Sequence, residues 1–191
     1  KDLQEIDKWA LTRLNKLIKD CTYNYDHYSF SNCYHDINQF CVIDMSNFYL
    51  DIIKDRLYTS KPNSIERRAA QTTMYTILNA LVKILAPMIS FTAEEIWKAM
   101  PHVKGEQTES VMLADFPQAN PEFDDEKLSQ KWERILRLKD IVAKELESAR
   151  AEKKIGHSLN AKVTIYAEEG QYDFIKENLE LLRTVFIISD L

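Results

Sequence analysis

The three glycines of this 191-residue chain fall at Gly105, Gly156 and Gly170, so its first 104 residues contain none. Tight turns that need positive φ usually take glycine, and sheets of short strands need many such turns. A glycine-free stretch of this length therefore points to long helices joined by few corners. The apolar positions agree: Ile6, Ala10, Leu14, Leu17, Cys21, Tyr25 and Tyr28 recur every three or four residues, the period of one helix face. After Ser29 the pattern restarts at Phe30, Cys33, Ile37, Phe40 and Cys41. It resumes as Phe48, Ile52, Ile53 and Leu57 beyond the polar interruption Asp44-Met45-Ser46-Asn47. The second helix either kinks there or divides in two.

Pro62 disfavours helical geometry at Lys61, and Ser64 can cap the next helix, so residues 59–64 read as a corner. Met74, Ile77, Leu78, Leu81 and Leu85 give a third helical stripe, ended or kinked by Pro87. The fourth helix carries the clearest start signal: Thr92 as N-cap, Glu95 as its reciprocal partner, and Phe91 with Ile96 as flanking apolar pair. Pro101 stops it. Residues 102–122 hold Gly105, Pro117 and Pro121 around a strand-like piece, Ser110-Val111-Met112-Leu113. Leu128, Trp132, Ile135, Val142, Leu146 and Ala149 mark a fifth, long amphipathic helix with a densely charged outer face, and Gly156 suits its C-terminal cap. Then Ala161 to Tyr166 alternates like a strand, Tyr172 to Leu182 reads as helix, and Val185 to Ile188 as strand. The expected fold is thus mainly α: an antiparallel helical bundle over residues 1–156 and a small, incomplete β-α-β appendage over 157–191.

Composition narrows the function. With 45% hydrophobic and 29% charged residues the chain can bury a core, and its apolar runs are too short to span a bilayer. It opens at Lys1 with neither an initiator Met nor a secretory pattern, as an excised piece of a larger protein would. Cys21, Cys33 and Cys41 cannot pair completely and sit among apolar residues, which fits buried thiols in a reduced, cytoplasmic setting. Clustered glycines for a phosphate cradle are missing, and so is a His-x-x-x-His pair for zinc. His27, His35, His102 and His157 are scattered, and the carboxylates of Glu94-Glu95 and Asp124-Asp125-Glu126 lie at helix starts, where they complement the dipole. Trp9, Phe48, Trp97 and Trp132 read as core.

One segment differs from the rest of this chain of net charge −5. Between Asp51 and Arg68 stand Lys54, Arg56, Lys61, Arg67 and Arg68 against Asp51, Asp55 and Glu66, with Tyr49 and Tyr58 flanking or interrupting them. Cations can neutralise phosphates, and exposed aromatics can stack on unpaired bases of an RNA loop. The plainer reading pairs Asp51 with Lys54 at i, i+3 and buries both tyrosines.

Asn47-Phe48-Tyr49-Leu50-Asp51-Ile52-Ile53-Lys54-Asp55-Arg56-Leu57-Tyr58 resembles the long-helix segment of the anticodon-binding domain of isoleucyl-tRNA synthetases. Residues 85–97, Leu-Ala-Pro-Met-Ile-Ser-Phe-Thr-Ala-Glu-Glu-Ile-Trp, are similar to the adjoining helix junction of that domain, shared more loosely by the valyl, leucyl and methionyl enzymes. Ser158 to Ile165 resembles the strand after the bundle, and Asp7 to Asn15 the domain's start. The resemblance implies a tRNA anticodon-arm recognition module inside an enzyme that joins isoleucine to its tRNA with ATP, and with zinc in many bacterial members. The ATP-binding signatures, the editing domain and the zinc element of that family are not in this sequence, so the chain itself is expected to be non-catalytic and to need no cofactor. Its expected partners are the anticodon arm of isoleucine tRNA and the rest of the synthetase, with the chain itself monomeric. On the resemblance, phosphates fall to Lys54, Arg56, Lys61, Arg67 and Arg68, and bases to Tyr58, Asn47 or Gln71. A valyl enzyme or a helical protein-interaction scaffold is the alternative.

Overall fold

In the computed structural model, which describes residues 2–106, 109–188 and 190, the chain forms two compact units, one up to Asp125 and one from Glu126 on. The first unit opens with α1 (Glu5–Asp26), α2 (Phe30–Gln39) and a ten-residue π-helix (Phe40–Tyr49). The short helices α3 (Leu50–Ile52) and α4 (Lys54–Tyr58) come next, and then α5 (Ile65–Leu85) and α6 (Ser90–Ala99). Single 3-10 turns at Val111–Leu113 and Pro121–Phe123 complete it. Helix α1 packs on α2, the π-helix and α5, so its apolar face, including Trp9, Leu14, Leu17 and Cys21, is the centre of the core. Trp9 meets Phe48 edge-on, with ring centroids 4.9 Å apart.

The π-helix is the structural answer to the polar interruption at Asp44 to Asn47. Its buried residues, Phe40, Asp44, Met45, Phe48 and Tyr49, are spaced wider than an α-helical stripe. Hydrogen bonding from i to i+5 keeps such a stripe on one face. The chain therefore neither kinks to a stop nor divides; it widens. Asp44 is kept inside by Arg13, whose Nη2 lies 2.8 Å from Oδ2. Burial pushes the Asp44 carboxyl up, against the opposing pull of Arg13.

Several local expectations are corrected. Helix α6 begins at Ser90, not after Thr92: Ile89 stands at the N-cap, and Ser90 Oγ donates to the Ala86 carbonyl across the Pro87 turn. Thr92 is consequently inside the helix, and Phe91, the intended staple, is 91% exposed. Glu94 instead accepts from Ser110 Oγ and the Val111 amide, which fastens the 102–122 connection to α6. That contact makes Val111–Leu113 a 3-10 turn, where a strand was expected, with Val111 buried in a cluster with Trp97 and Met100.

The second unit holds α7 (Glu126–Ala151), a 3-10 turn (Ser158–Asn160), α8 (Glu169–Glu177) and α9 (Leu179–Phe186). No β-α-β appendage forms among the described residues. Val185 and Phe186 belong to α9, where with Leu182 they make an i, i+3, i+4 apolar face buried in the unit, and α9 packs on α7. A short apolar run is compatible with either periodicity, and here the helix wins. Among the described residues strand-like pairing is limited to one isolated parallel bridge between Lys162 and Asp190, with the Val163 amide 3.1 Å from the Asp190 carbonyl. The single helix expected over Tyr172 to Leu182 is divided at Asn178, whose side chain turns back to the Phe174 carbonyl.

Glycine does not end these helices. Tyr28, Lys153 and Ile187 hold φ of 56°, 59° and 53°, left-handed values, within two residues of the ends of α1, α7 and α9. After α7, Lys154 N bonds to the Ala149 carbonyl and Lys153 N to that of Arg150, the double closure of a Schellman motif. Gly156 lies three residues beyond Lys153 and takes no part in the cap.

Candidate nucleic-acid interface

The basic segment runs along the end of the π-helix, through α3 and α4, round the 59–64 corner and into α5. Each piece is locally determined. Thr59 caps α4 by returning its amide and hydroxyl to the Asp55 carbonyl. The Ser64 amide closes onto the Lys61 carbonyl at 3.0 Å, and its hydroxyl accepts from the Arg67 amide at 3.3 Å, which starts α5. Helices α4 and α5 pack on each other, so their outer residues share one corner of the unit.

The side chains divide into two kinds. Tyr58 is 82% exposed and Lys54, Lys61, Arg68, Gln71 and Asn47 are exposed as well. Lys54 pairs with Asp51, as the i, i+3 spacing allows, and that hydrogen bond holds its ammonium above the usual lysine range. Arg67 is half-buried, with Nη1 3.4 Å from the Ser60 carbonyl. Arg56 and Tyr49 turn the other way. The Arg56 guanidinium grips Asp7 with Nη2 to Oδ1 at 2.6 Å and Nη1 to Oδ2 at 3.0 Å, a bidentate pair in which the Asp7 side chain is fully buried. Tyr49, wholly buried, donates its hydroxyl to Asp7 Oδ1 at 2.9 Å, and the Gln4 amide reaches Oδ2 at 3.1 Å. Asp7 thus ties the start of α1 to α4 from beneath. Burial comes first in pushing the Tyr49 phenol above its usual range, and the Asp7 charge adds to it.

Charge is also segregated along the chain. From Asp20 to Ile53 there is no lysine or arginine, while Asp20, Asp26, Asp36, Asp44 and Asp51 all fall in that span. Its α1–α2 tip exposes Tyr23, Tyr28, Phe30 and Tyr34. Lys54 therefore begins the basic corner where an acidic stretch ends.

Elsewhere in this unit polar side chains serve the fold. Glu106 receives Asn79, Lys83, His102, Tyr75 and the Val103 amide, clasping its loop to α5. Burial alone would push the Glu106 carboxyl up, but these donors outweigh it and carry it down to about 2. Cys21, Cys33 and Cys41 are free thiols; the first two are fully buried, and burial raises Cys21 and Cys41. Among the described residues no three His, Cys, Asp or Glu side chains are placed to hold a metal ion, and no helix is long and apolar enough to cross a membrane.

Comparison with known proteins places the chain in a family. The profile of the anticodon-binding domain of tRNA ligase matches residues 7–165. Isoleucine-tRNA ligase of Caldanaerobacter subterraneus subsp. tengcongensis is 52% identical over 188 residues, 98% of this chain and 20% of the relative. The enzymes of Caldicellulosiruptor saccharolyticus and Caldicellulosiruptor bescii are 53% and 52% identical over all 191 residues, 21% of each relative. The chain spans about a fifth of the length of the curated relatives it matches. This chain belongs to the family of anticodon-binding domains of tRNA ligases.

Proposed function

We propose that the chain is the anticodon-arm recognition module of an isoleucine-tRNA ligase, and that it binds isoleucine tRNA through the corner formed by α4, residues 59–64 and the start of α5. The observation that carries this reading is identity above 50% to isoleucine-tRNA ligases along the whole chain, together with a cationic, aromatic corner that the fold leaves exposed. Phosphates of the arm fall to Lys54, Lys61 and Arg68, with Arg67 joining after release from Ser60. The unpaired bases fall to Tyr58, by stacking, and to the amides of Gln71 and Asn47. Arg56 is a positioning residue in this scheme: its guanidinium is held by Asp7 and orients α4. The acidic stretch from Asp20 to Ile53 repels phosphate, which leaves the phosphate contacts in this unit to the corner. The valyl reading is not favoured, since these relatives are isoleucine enzymes.

The parent ligase joins isoleucine to tRNA with ATP, in the cytoplasm, and this chain, a monomer, supplies identity and positioning without chemistry. We assign neither ATP nor zinc to its own residues. The test is a titration of isoleucine tRNA and an anticodon-swapped tRNA against the chain at several salt concentrations. Arg67→Ala/Arg68→Ala should weaken binding and lower the salt slope by about 1 to 2, as loss of one or two phosphate contacts requires. Tyr58→Ala should weaken it at unchanged slope. Equal affinity for both tRNAs, or an unchanged slope in the double variant, would remove the reading. Pyrophosphate exchange with isoleucine should be absent.

A further inference from the structure

The second unit carries a groove that the corner does not explain. A cavity of about 390 Å³ lies along α7, with Leu138, Ile141 and Ile175 as its apolar floor and Phe174, Arg134 and Arg137 as wall and rim. A second cavity, of about 500 Å³, shares Arg134 and Phe174 and continues past Lys127 and Lys131. Lys127, Lys131, Arg134, Leu138 and Ile141 recur at steps of three and four, so one helix face lines both. From Lys127 to Ile141 the groove runs ~21 Å along α7 at ~1.5 Å per residue.

Its chemistry is specific. Four cations line the two cavities against one carboxylate, Glu177, in a chain that is acidic overall. Arg134 stacks on Phe174 with its guanidinium carbon 3.8 Å from the ring centroid, which leaves a flat cationic face turned away from the ring. Ile141 is 61% exposed at the end of the floor, a position that a soluble helix normally gives to a polar residue. Arg137 is only loosely engaged, 3.6 Å from Glu133, with both side chains largely exposed. An apolar slot beside a stacked guanidinium suits the rings of a base, and the row of cations beyond it suits a phosphate backbone.

We infer that this groove binds a short single-stranded RNA segment, with one unpaired base seated against Ile141, Leu138 and the Arg134–Phe174 stack and its phosphates along Arg137, Arg134, Lys131 and Lys127. The inference rests on the tRNA-binding reading above and extends it to a second surface. A glutamate-rich peptide with an apolar anchor is the competing occupant.

The experiment titrates the chain with a seven-nucleotide RNA of the anticodon-loop sequence, with isoleucine tRNA, and with a glutamate-rich peptide carrying one leucine. Arg134→Ala/Arg137→Ala should weaken the oligonucleotide and lower its salt slope by about 1.4, at about 0.7 per phosphate on a single strand. Phe174→Leu should weaken it about fivefold or more with the slope unchanged, since a stacking platform is lost and no charge is. Arg137→Ala alone, at a largely exposed side chain, guards against a folding artefact and should lower the slope by about 0.7. Unchanged oligonucleotide binding in all three variants overturns the inference. So does peptide binding that these variants abolish while RNA binding persists, which would assign the groove to a protein. Arg67→Ala/Arg68→Ala, run alongside, separates the two proposals. If it impairs tRNA binding while the groove variants change nothing, only the groove assignment falls. If wild type binds neither RNA, both fall.

Discussion

Replacing Arg56 with Met should destabilise the first unit by about 3 kcal/mol, the low end of what removal of one partner from a buried ion pair costs. The magnitude is set by the partners that Asp7 keeps. Its carboxylate is fully buried and accepts from four donors: two guanidinium nitrogens, the Tyr49 hydroxyl and the Gln4 amide. The substitution removes both charged donors and leaves two neutral ones, so the anion stays partly satisfied rather than abandoned. Asp7→Asn should cost less, because the Arg56 side chain is 14% exposed and can turn towards water. The double variant Asp7→Asn/Arg56→Met should recover part of the loss, since no charge then remains buried. Urea and thermal melts followed by circular dichroism give the stabilities, and a tRNA titration at several salt concentrations accompanies them. A loss below about 1 kcal/mol together with a reduced salt slope would refute the reasoning, for it would make Arg56 an exposed phosphate ligand.

Other outcomes are expected. Thr92→Ala should change stability by less than about 0.5 kcal/mol, since Thr92 caps nothing, whereas Ser64→Ala should cost about 1 kcal/mol by freeing the Arg67 amide; equilibrium melts distinguish the two. Lys153→Gly should raise stability by about 1 kcal/mol, because a left-handed residue with a Cβ gives way to one without, and unchanged melts would mean that Lys153 bears no strain there. In acid titration the Glu106 clasp should be intact above its unfolded pKa of about 4.3 and lost as pH falls towards about 2, because between these values the unfolded carboxyl is protonated while the folded one is still ionised, so each fall in pH favours unfolding. Glu106→Gln should flatten that acid limb of the stability curve.

Periodic features were legible in the sequence. The stripes of α1 and α7, the corner capped by Ser64, the Asp51–Lys54 pair and the burial of all three tryptophans arise from spacing and local capping alone. In α5 the helix was legible but its buried face was not: of the expected stripe only Ile77 is buried, Met74 and Leu78 are exposed, and Ala70, Thr73, Ala80, Val82 and Ile84 face inward instead. The features that escaped depend on partners far along the chain. Arg56 and Asp7 are 49 residues apart, and nothing local separates an arginine that grips a buried aspartate from one that faces a phosphate. The π-helix was visible only as a polar interruption, because an α-helical template has no place for its wider stripe. The early start of α6 depends on a hydroxyl reaching back over a proline turn, and the loss of the C-terminal strands on helices α7 and α9 finding each other. From the sequence the groove side of α7 is only part of a densely charged outer face. Its signal was there: Ile141, an apolar residue among charges, stands on the same face as Lys127 and Arg134.

The central claim, that this domain holds the anticodon arm, is tested most directly by hydroxyl-radical footprinting of isoleucine tRNA at saturating chain concentration. The account predicts protection confined to the anticodon stem and loop, lost there in Arg67→Ala/Arg68→Ala, with the acceptor stem cleaved as in free tRNA. Protection of the acceptor stem, or cleavage of the anticodon loop at the rate of the free RNA, would contradict it.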